Sequence, residues 1–155
     1  MERTEKVVGM LNDLIRINHD RIAGYEKAIE ELKDEDADLR TLFHRYIQES
    51  SQYADELTHE VTRLGGEPAE GTTNSGKIYR VWMDLKAVVT GHDRKTVLNN
   101  SEFGEDAAQK AYDMALNSDL DLEVALRDLI VRQKAQLKVG HDEVKRLRDS
   151  YAASH

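Results

Sequence analysis

The sequence predicts an all-α fold in which four long helices form two antiparallel hairpins, joined by a long crossover that carries a short extra helix. Three observations predict it. Proline occurs once in 155 residues, at Pro68. The long stretches on either side carry apolar residues three and four apart, the period of a helix with one buried face, with no alternation of the strand type. A helical phrase also recurs, since Asn18 and Tyr25 stand seven residues apart and so do Glu105 and Tyr112. A chain of this length fits one domain, spanning 1–155, and can bury a sizeable core without disulfides or structural metal.

The first helix is expected from about Thr4 to Leu32, with Val7, Leu11, Leu14, Asn18, Ile22, Tyr25, Ile29 and Leu32 on its inner line. Asn18 is a polar residue inside that line. Lys33 to Asp36 is a tight polar turn, where Asp36 or Asp38 is suited to cap the second helix and to complement its positive start. The second helix turns Leu39, Phe43, Tyr46, Tyr53, Leu57, Val61 and Leu64 inward, Gly65-Gly66 ends it, and Pro68 prevents its resumption. The crossover runs over 65–92. Within it, Ile78, Val81, Trp82, Leu85, Val88 and Val89 recur at helical spacing, as expected of a short helix lying across the bundle. Asp93 is placed to cap the third long helix, whose inner line is Val97, Glu105, Ala108, Tyr112 and Ala115. The last helix repeats Leu122, Leu126, Ile130, Gln133, Leu137, His141, Val144 and Leu147 before a tail, 150–155, expected to fray. Two short turns separated by a long excursion make the members of each hairpin antiparallel neighbours.

Composition narrows the function classes. Lys and Arg number 22 against 30 Asp and Glu, a formal charge of −8 spread over both halves, which opposes nucleic acid and anionic lipid as partners. The absence of cysteine excludes disulfides, thiolate nucleophiles and zinc-thiolate sites. The start, Met1 to Val8, has no apolar run of signal length and no later segment reaches membrane-spanning length, so a soluble cytoplasmic protein is expected. Gly65-Gly66 lacks the strand-glycine-helix setting of a phosphate loop, and no calcium-loop pattern of spaced acids is present.

A bundle of two hairpins can hold a dimetal carboxylate site in its middle. That site takes a Glu from one helix of each pair and a Glu-x-x-His from the other, because residues i and i+3 share a face. Residues equally far from the hairpin turns share a depth, at about 1.5 Å rise per residue. The middle positions are then Asn18, Glu49 with Gln52, Glu105, and Gln133 with Gln136. Two carboxylates remain among them and no histidine. Iron, manganese and zinc favour carboxylate and imidazole, and neutral amides are weak donors. Two readings stay open. In one, Asn18, Tyr25, Tyr46, Tyr53, Tyr112 and Gln133 form a hydrogen-bonded polar core layer around Glu105. In the other, Glu49 and Glu105 are metal ligands, holding a weakly bound cation or serving an iron or manganese centre. A literal Glu-x-x-His at Glu56 and His59 lies about one and a half turns off this depth, with His141 as its possible surface partner. Trp82 is either the buried side of the crossover helix or a ridge that meets a protein partner.

Several phrases together resemble a known family. They are Asn12-Asp-Leu-Ile15, Gly24-Tyr25, Leu64-Gly-Gly-Glu-Pro68, Arg80-Val-Trp-Met-Asp-Leu-Lys86, Thr90-Gly91 and Gly104-Glu-Asp106. The chain from about Val7 to Arg148 resembles a bacterial four-helix-bundle family of unknown function within the ferritin-like group, distantly similar to rubrerythrin and bacterioferritin. The resemblance implies a ferritin-like fold and not an activity. The ligand positions of the wider group would fall on Asn18, Glu49, Gln52, Glu105, Gln133 and Gln136, and four of those six depart from its pattern. The expectation is a non-enzymatic bundle with a degenerate dimetal site and no resident cofactor, stress-associated or acting as a structural or binding protein, and a homo-oligomer. The alternative is a metal-binding protein or a di-iron or manganese oxidoreductase using Glu49 and Glu105.

Overall fold

The computed structural model of the protein describes residues 2–71 and 93–154. Four long helices account for nearly all of them: α1 (Glu2–Glu31), α2 (Ala37–Arg63), α3 (Arg94–Leu116) and α4 (Val124–Ser154). The expected crossover helix and Trp82 lie outside the described residues. Helix α1 packs against both α2 and α3, and α3 packs against α4.

The helix boundaries follow from local chemistry. A single 3-10 turn, Asp34–Asp36, links α1 to α2. Asp36 stands at the N-cap position of α2, but its side chain makes no capping bond. Its carboxylate instead takes Arg94 Nη1 at 3.0 Å, and Arg94 Nη2 reaches Asp38 at 2.8 Å. The two expected caps therefore tie the start of α2 to the start of α3. Hydrogen bonding to Arg94 also holds the Asp38 carboxyl below its usual range. Gly65 closes α2 at φ +83°, a left-handed conformation that costs glycine little. That turn lets Gly65 N–H donate to Thr62 O at 3.0 Å and Gly66 N–H to Val61 O at 2.9 Å, satisfying two terminal carbonyls. Asp93 caps α3 as expected, its carboxylate accepting Thr96 N–H at 2.8 Å. The tail expected to fray is helical to Ser154, and Tyr151 packs against the core near it.

Two apolar clusters fill the bundle. One gathers Leu11, Leu14, Leu57, Val61, Tyr112, Leu126 and Ile130 toward the end that holds the α3–α4 turn. The other gathers Tyr25, Leu39, Phe43, Leu98 and Val144 toward the α1–α2 turn. Between them lie the buried polar residues Asn18, Arg21, Ser50, Ser101 and Glu105, each nearly solvent-free. Two expected inner positions need correction. Arg21 is buried and its neighbour Ile22 only half-buried, and Gly140 is buried where His141 was placed on the inner line of α4. In both cases the true inner residue is one position earlier, which a 100° step per residue turns from the flank of the stripe to its centre.

Candidate functional site

At the middle of the bundle the guanidinium of Arg21, only 1% exposed, stands between two carboxylates. Its Nε donates to Glu105 Oε1 at 2.8 Å and its Nη1 donates to Glu49 Oε1 at 2.8 Å. The same Nη1 donates to Ser50 Oγ at 3.0 Å and, at 3.4 Å, to the backbone oxygen of Tyr46. Tyr25 donates its hydroxyl to Glu105 Oε1 at 2.5 Å. The rings of Tyr46 and Tyr25 flank the cation, with the guanidinium carbon 4.8 and 5.6 Å from their centroids. Three of the four helices contribute: α1 gives Arg21 and Tyr25, α2 gives Tyr46, Glu49 and Ser50, and α3 gives Glu105. Helix α4 contributes an absence of side chain, since a Cβ on Gly140 would stand 2.9 Å from Arg21 Nη2 and 3.3 Å from the Tyr46 ring.

A second chain of bonds lies alongside. Asn18 Nδ2 donates to the Tyr112 hydroxyl at 2.9 Å, and that hydroxyl donates to Gln133 Oε1 at 2.6 Å. Gln133 Nε2 then donates to Glu56 Oε1 at 3.1 Å and to the backbone oxygen of Tyr53 at 3.4 Å. The recurring phrase thus pairs crosswise. Asn18 of α1 meets Tyr112 of α3, and Tyr25 of α1 meets Glu105 of α3, as two antiparallel helices related by a local two-fold require. Tyr46 donates its hydroxyl to Glu143 at 3.1 Å. On the α2–α4 side the layer opens into a polar groove of about 420 Å³, whose lining includes Glu49, Gln52, Glu56, Gln133 and Gln136.

The electrostatics follow from burial and charge. Burial alone would weaken the proton affinity of Arg21, but Glu105, Tyr25 and Glu49 more than offset it, so the guanidinium is held above its ordinary value and stays charged. Burial raises the Glu49 carboxyl, against the opposing pull of Arg21. Burial raises Tyr25 well above its ordinary value, and the negative charge of Glu105 adds to the effect. Tyr46, Tyr53 and Tyr112 are raised too, each chiefly by burial. Three buried atoms of the layer, Asn18 Oδ1, Arg21 Nη2 and Glu105 Oε2, have no hydrogen-bond partner among the described residues, and water is the partner such atoms ordinarily take.

The structure therefore brings together Asn18, Tyr25, Tyr46, Tyr112 and Gln133 with Glu49 and Glu105, while Tyr53 joins through its backbone. Sequence reasoning missed Arg21, Gly140 and Glu143. The signal for Arg21 was its place three residues after Asn18 and four before Tyr25, on the face they share. Glu56 turns to Gln133, and His141 turns to Asp106 on α3, so the surface pair of Glu56 with His141 is not formed. The donor set fits a pair of metal ions poorly. Of the six expected ligand positions, four carry amides, and one oxygen of each remaining carboxylate is already bonded to a fixed cation.

No curated protein matches the sequence. Among solved structures, a mutant of Mycobacterium smegmatis Dps1 is similar with a TM-score of 0.79 at 13% identity, over 95% of this chain and 97% of that one. Ferritin-like, diiron-carboxylate proteins from Bacillus anthracis str. Ames are similar with a TM-score of 0.73 at 16% identity, over 96% and 99% of the two chains. Likeness at that identity shows the fold, which is ferritin-like. None of the described helices is long and apolar enough to cross a membrane. The model of one family matches residues 6–118, most of the chain, and the protein belongs to that family, described as a domain of unknown function (DUF2383).

Proposed function

We propose that this protein is a non-enzymatic ferritin-like bundle, a structural or binding protein that assembles with copies of itself, in which an internal guanidinium takes the place of core metal ions. One observation carries the reading: Arg21 lies 2.8 Å from both Glu105 and Glu49. Buried carboxylates need a positive charge close by, and a bound cation or a basic side chain can provide it. Here the chain provides it from its own first helix. A divalent ion bridging Glu49 and Glu105 would sit about 4 Å from the guanidinium, a repulsion of about 8 kcal/mol at an effective dielectric of about 20. The competing iron or manganese oxidoreductase therefore requires Arg21 to leave its pocket first.

Assembly is supported by where apolar surface remains. Among the described residues, the exposed large apolar side chains Phe103, Met114, Val124, Val131 and Val139 all belong to the α3–α4 hairpin. The test of the core reading compares retained iron and manganese per chain after dialysis in the wild type, Glu49→Gln and Glu105→Gln. Equal content in all three is expected. A loss of one or two equivalents in the variants would establish the core acids as ligands and overturn the reading. Sedimentation velocity over a wide concentration range tests assembly, and a monomer throughout would remove it.

A further inference from the structure

Outside the core, Glu102 and Asp106 of α3 and His141 of α4 offer two carboxylate oxygens and one imidazole nitrogen, all within 4.8 Å of one another. We propose that these three side chains form a surface-open binding site for a single first-row divalent cation, with zinc as the reference ion. Zinc bonds nitrogen and carboxylate oxygen at about 2.0–2.2 Å, which puts tetrahedral donors about 3.4 Å apart. The imidazole and Asp106 must therefore part by about 1 Å to admit the ion, a change that rotamer adjustment of the half-exposed Asp106 supplies. Glu102 and Asp106 are one helical turn apart and so share a face, and the antiparallel α4 brings His141 across the hairpin to it.

Two features separate this from a scatter of surface acids. The donors are graded in exposure: the Glu102 and His141 side chains are 13% and 18% exposed, whereas Asp106 is 51% exposed. The site has an inner wall and one open side, where water can complete the coordination. The imidazole is also oriented from behind. His141 Nε2 lies 2.5 Å from Asp106 Oδ1, and Nδ1 lies 3.1 Å from Asp142 Oδ1. Donation of the Nδ1 proton to Asp142 presents the Nε2 lone pair to a cation, and a carboxylate is one of the acceptors that ordinarily stand behind a histidine ligand. The imidazole favours zinc-class ions over magnesium and calcium, which prefer oxygen alone.

One side chain competes. Arg148 pairs with Glu102, and it also pairs with Asp149 at 2.8 Å, so it keeps a partner when a cation displaces it from Glu102. Arg148 thus holds Glu102 when no cation is bound and weakens cation binding.

Titration of the chelator-stripped full-length protein with zinc by calorimetry, and with cobalt by visible absorption, tests the site. The expected result is one saturable equivalent per chain, lost in His141→Ala and weakened at least tenfold in Asp106→Asn. Asp142→Asn should weaken binding about 10–100-fold through the orientation of His141. Arg148→Met should tighten it, a result that a merely adventitious histidine would not give. His59→Ala, which removes an exposed histidine of α2, should bind as the wild type does. Absence of stoichiometric zinc binding, or unchanged binding in His141→Ala, would overturn the site. If His141→Ala loses its helical circular dichroism, the half-exposed Asp106→Asn decides in its place, and wild-type affinity there would overturn the site equally.

Discussion

Glu105→Gln isolates the charge of the core pair from its shape. The amide has nearly the same volume as the carboxylate and keeps an oxygen for Tyr25 and for Arg21 Nε, so no cavity forms. Only the negative charge is lost. Arg21 cannot respond by releasing its proton, because a guanidinium is a strong enough base to stay charged even with one carboxylate partner gone. A cation 1% exposed to solvent is then left with Glu49 alone, whose side chain is 24% exposed and in part screened by water. Removing one partner of a buried ion pair costs about 3–5 kcal/mol, and the surviving Glu49 contact places the loss near the lower end, about 3 kcal/mol. That is a large part of the roughly 5–15 kcal/mol by which a domain is stable. Urea unfolding followed by far-ultraviolet circular dichroism would read the loss as a lowered midpoint with an unchanged slope. A loss below about 1 kcal/mol, the net size of one neutral hydrogen bond, would refute the claim that charge holds the core layer together. Arg21→Met with Glu105→Leu should cost less than the two single changes added together. Replacing a whole buried pair by apolar groups leaves no orphaned charge, and the cycle should show coupling of about 2–3 kcal/mol.

Two further outcomes follow from the same geometry. The phenols of Tyr25 and Tyr112 are raised from an ordinary value of 10.0, so their contribution to stability is complete below pH 10 and is lost as pH rises toward their folded values. The unfolded chain releases both protons first, a fall of about 1.4 kcal/mol per pH unit for each, or about 3 kcal/mol together. Urea midpoints at pH 8, 10 and 11 measure this, and phenolate absorbance showing every tyrosine of the folded protein ionising near pH 10 would contradict it. Gly140→Ala should destabilise despite the better helix propensity of alanine. Its Cβ would meet Arg21 Nη2 at 2.9 Å and the Tyr46 ring at 3.3 Å, and overpacking costs about 1–3 kcal/mol against a helix gain of about 1 kcal/mol. A stabilised variant in the urea assay would place the guanidinium elsewhere.

The helices were legible because burial on one face imposes a 3.6-residue period, and their ends were legible where one residue has one role, as at Gly65 and Asp93. The depth of the site was legible too. Asn18, Glu105 and Gln133 are polar residues on apolar lines, and distance from the turns placed them at one level. Arg21 was not legible for the converse reason. An arginine beside an isoleucine reads as the flank of a helix, since its stem can lie along a core while its head reaches water. Whether the head turns inward depends on carboxylates 28 and 84 residues away in sequence. No local pattern carries that information. The same limit hid Gly140, whose role is to leave room for a side chain from another helix.

The cross-paired phrase explains why one arginine is enough. Asn18 and Tyr25 of α1 correspond to Glu105 and Tyr112 of α3, and on that correspondence the counterpart of Arg21 is Ala108, which is itself 1% exposed. Identical halves with a glutamate at both 18 and 105 would bury like charges about a two-fold axis and would need cations from outside to neutralise them. The two halves of this chain differ at these positions. The first offers an amide and a guanidinium, and the second offers a carboxylate and a methyl small enough to leave the guanidinium its space. Positive charge from one half meets negative charge from the other, while the tyrosines remain equivalent. The asymmetry makes a specific demand: Ala108→Arg with Arg21→Ala should fail to restore stability. The transplanted guanidinium would face Asn18, with Glu105 one turn back on its own helix instead of across the interface. Recovery of the wild-type urea midpoint in that double variant would show that any positive charge at this depth suffices, and the paired geometry would lose its meaning.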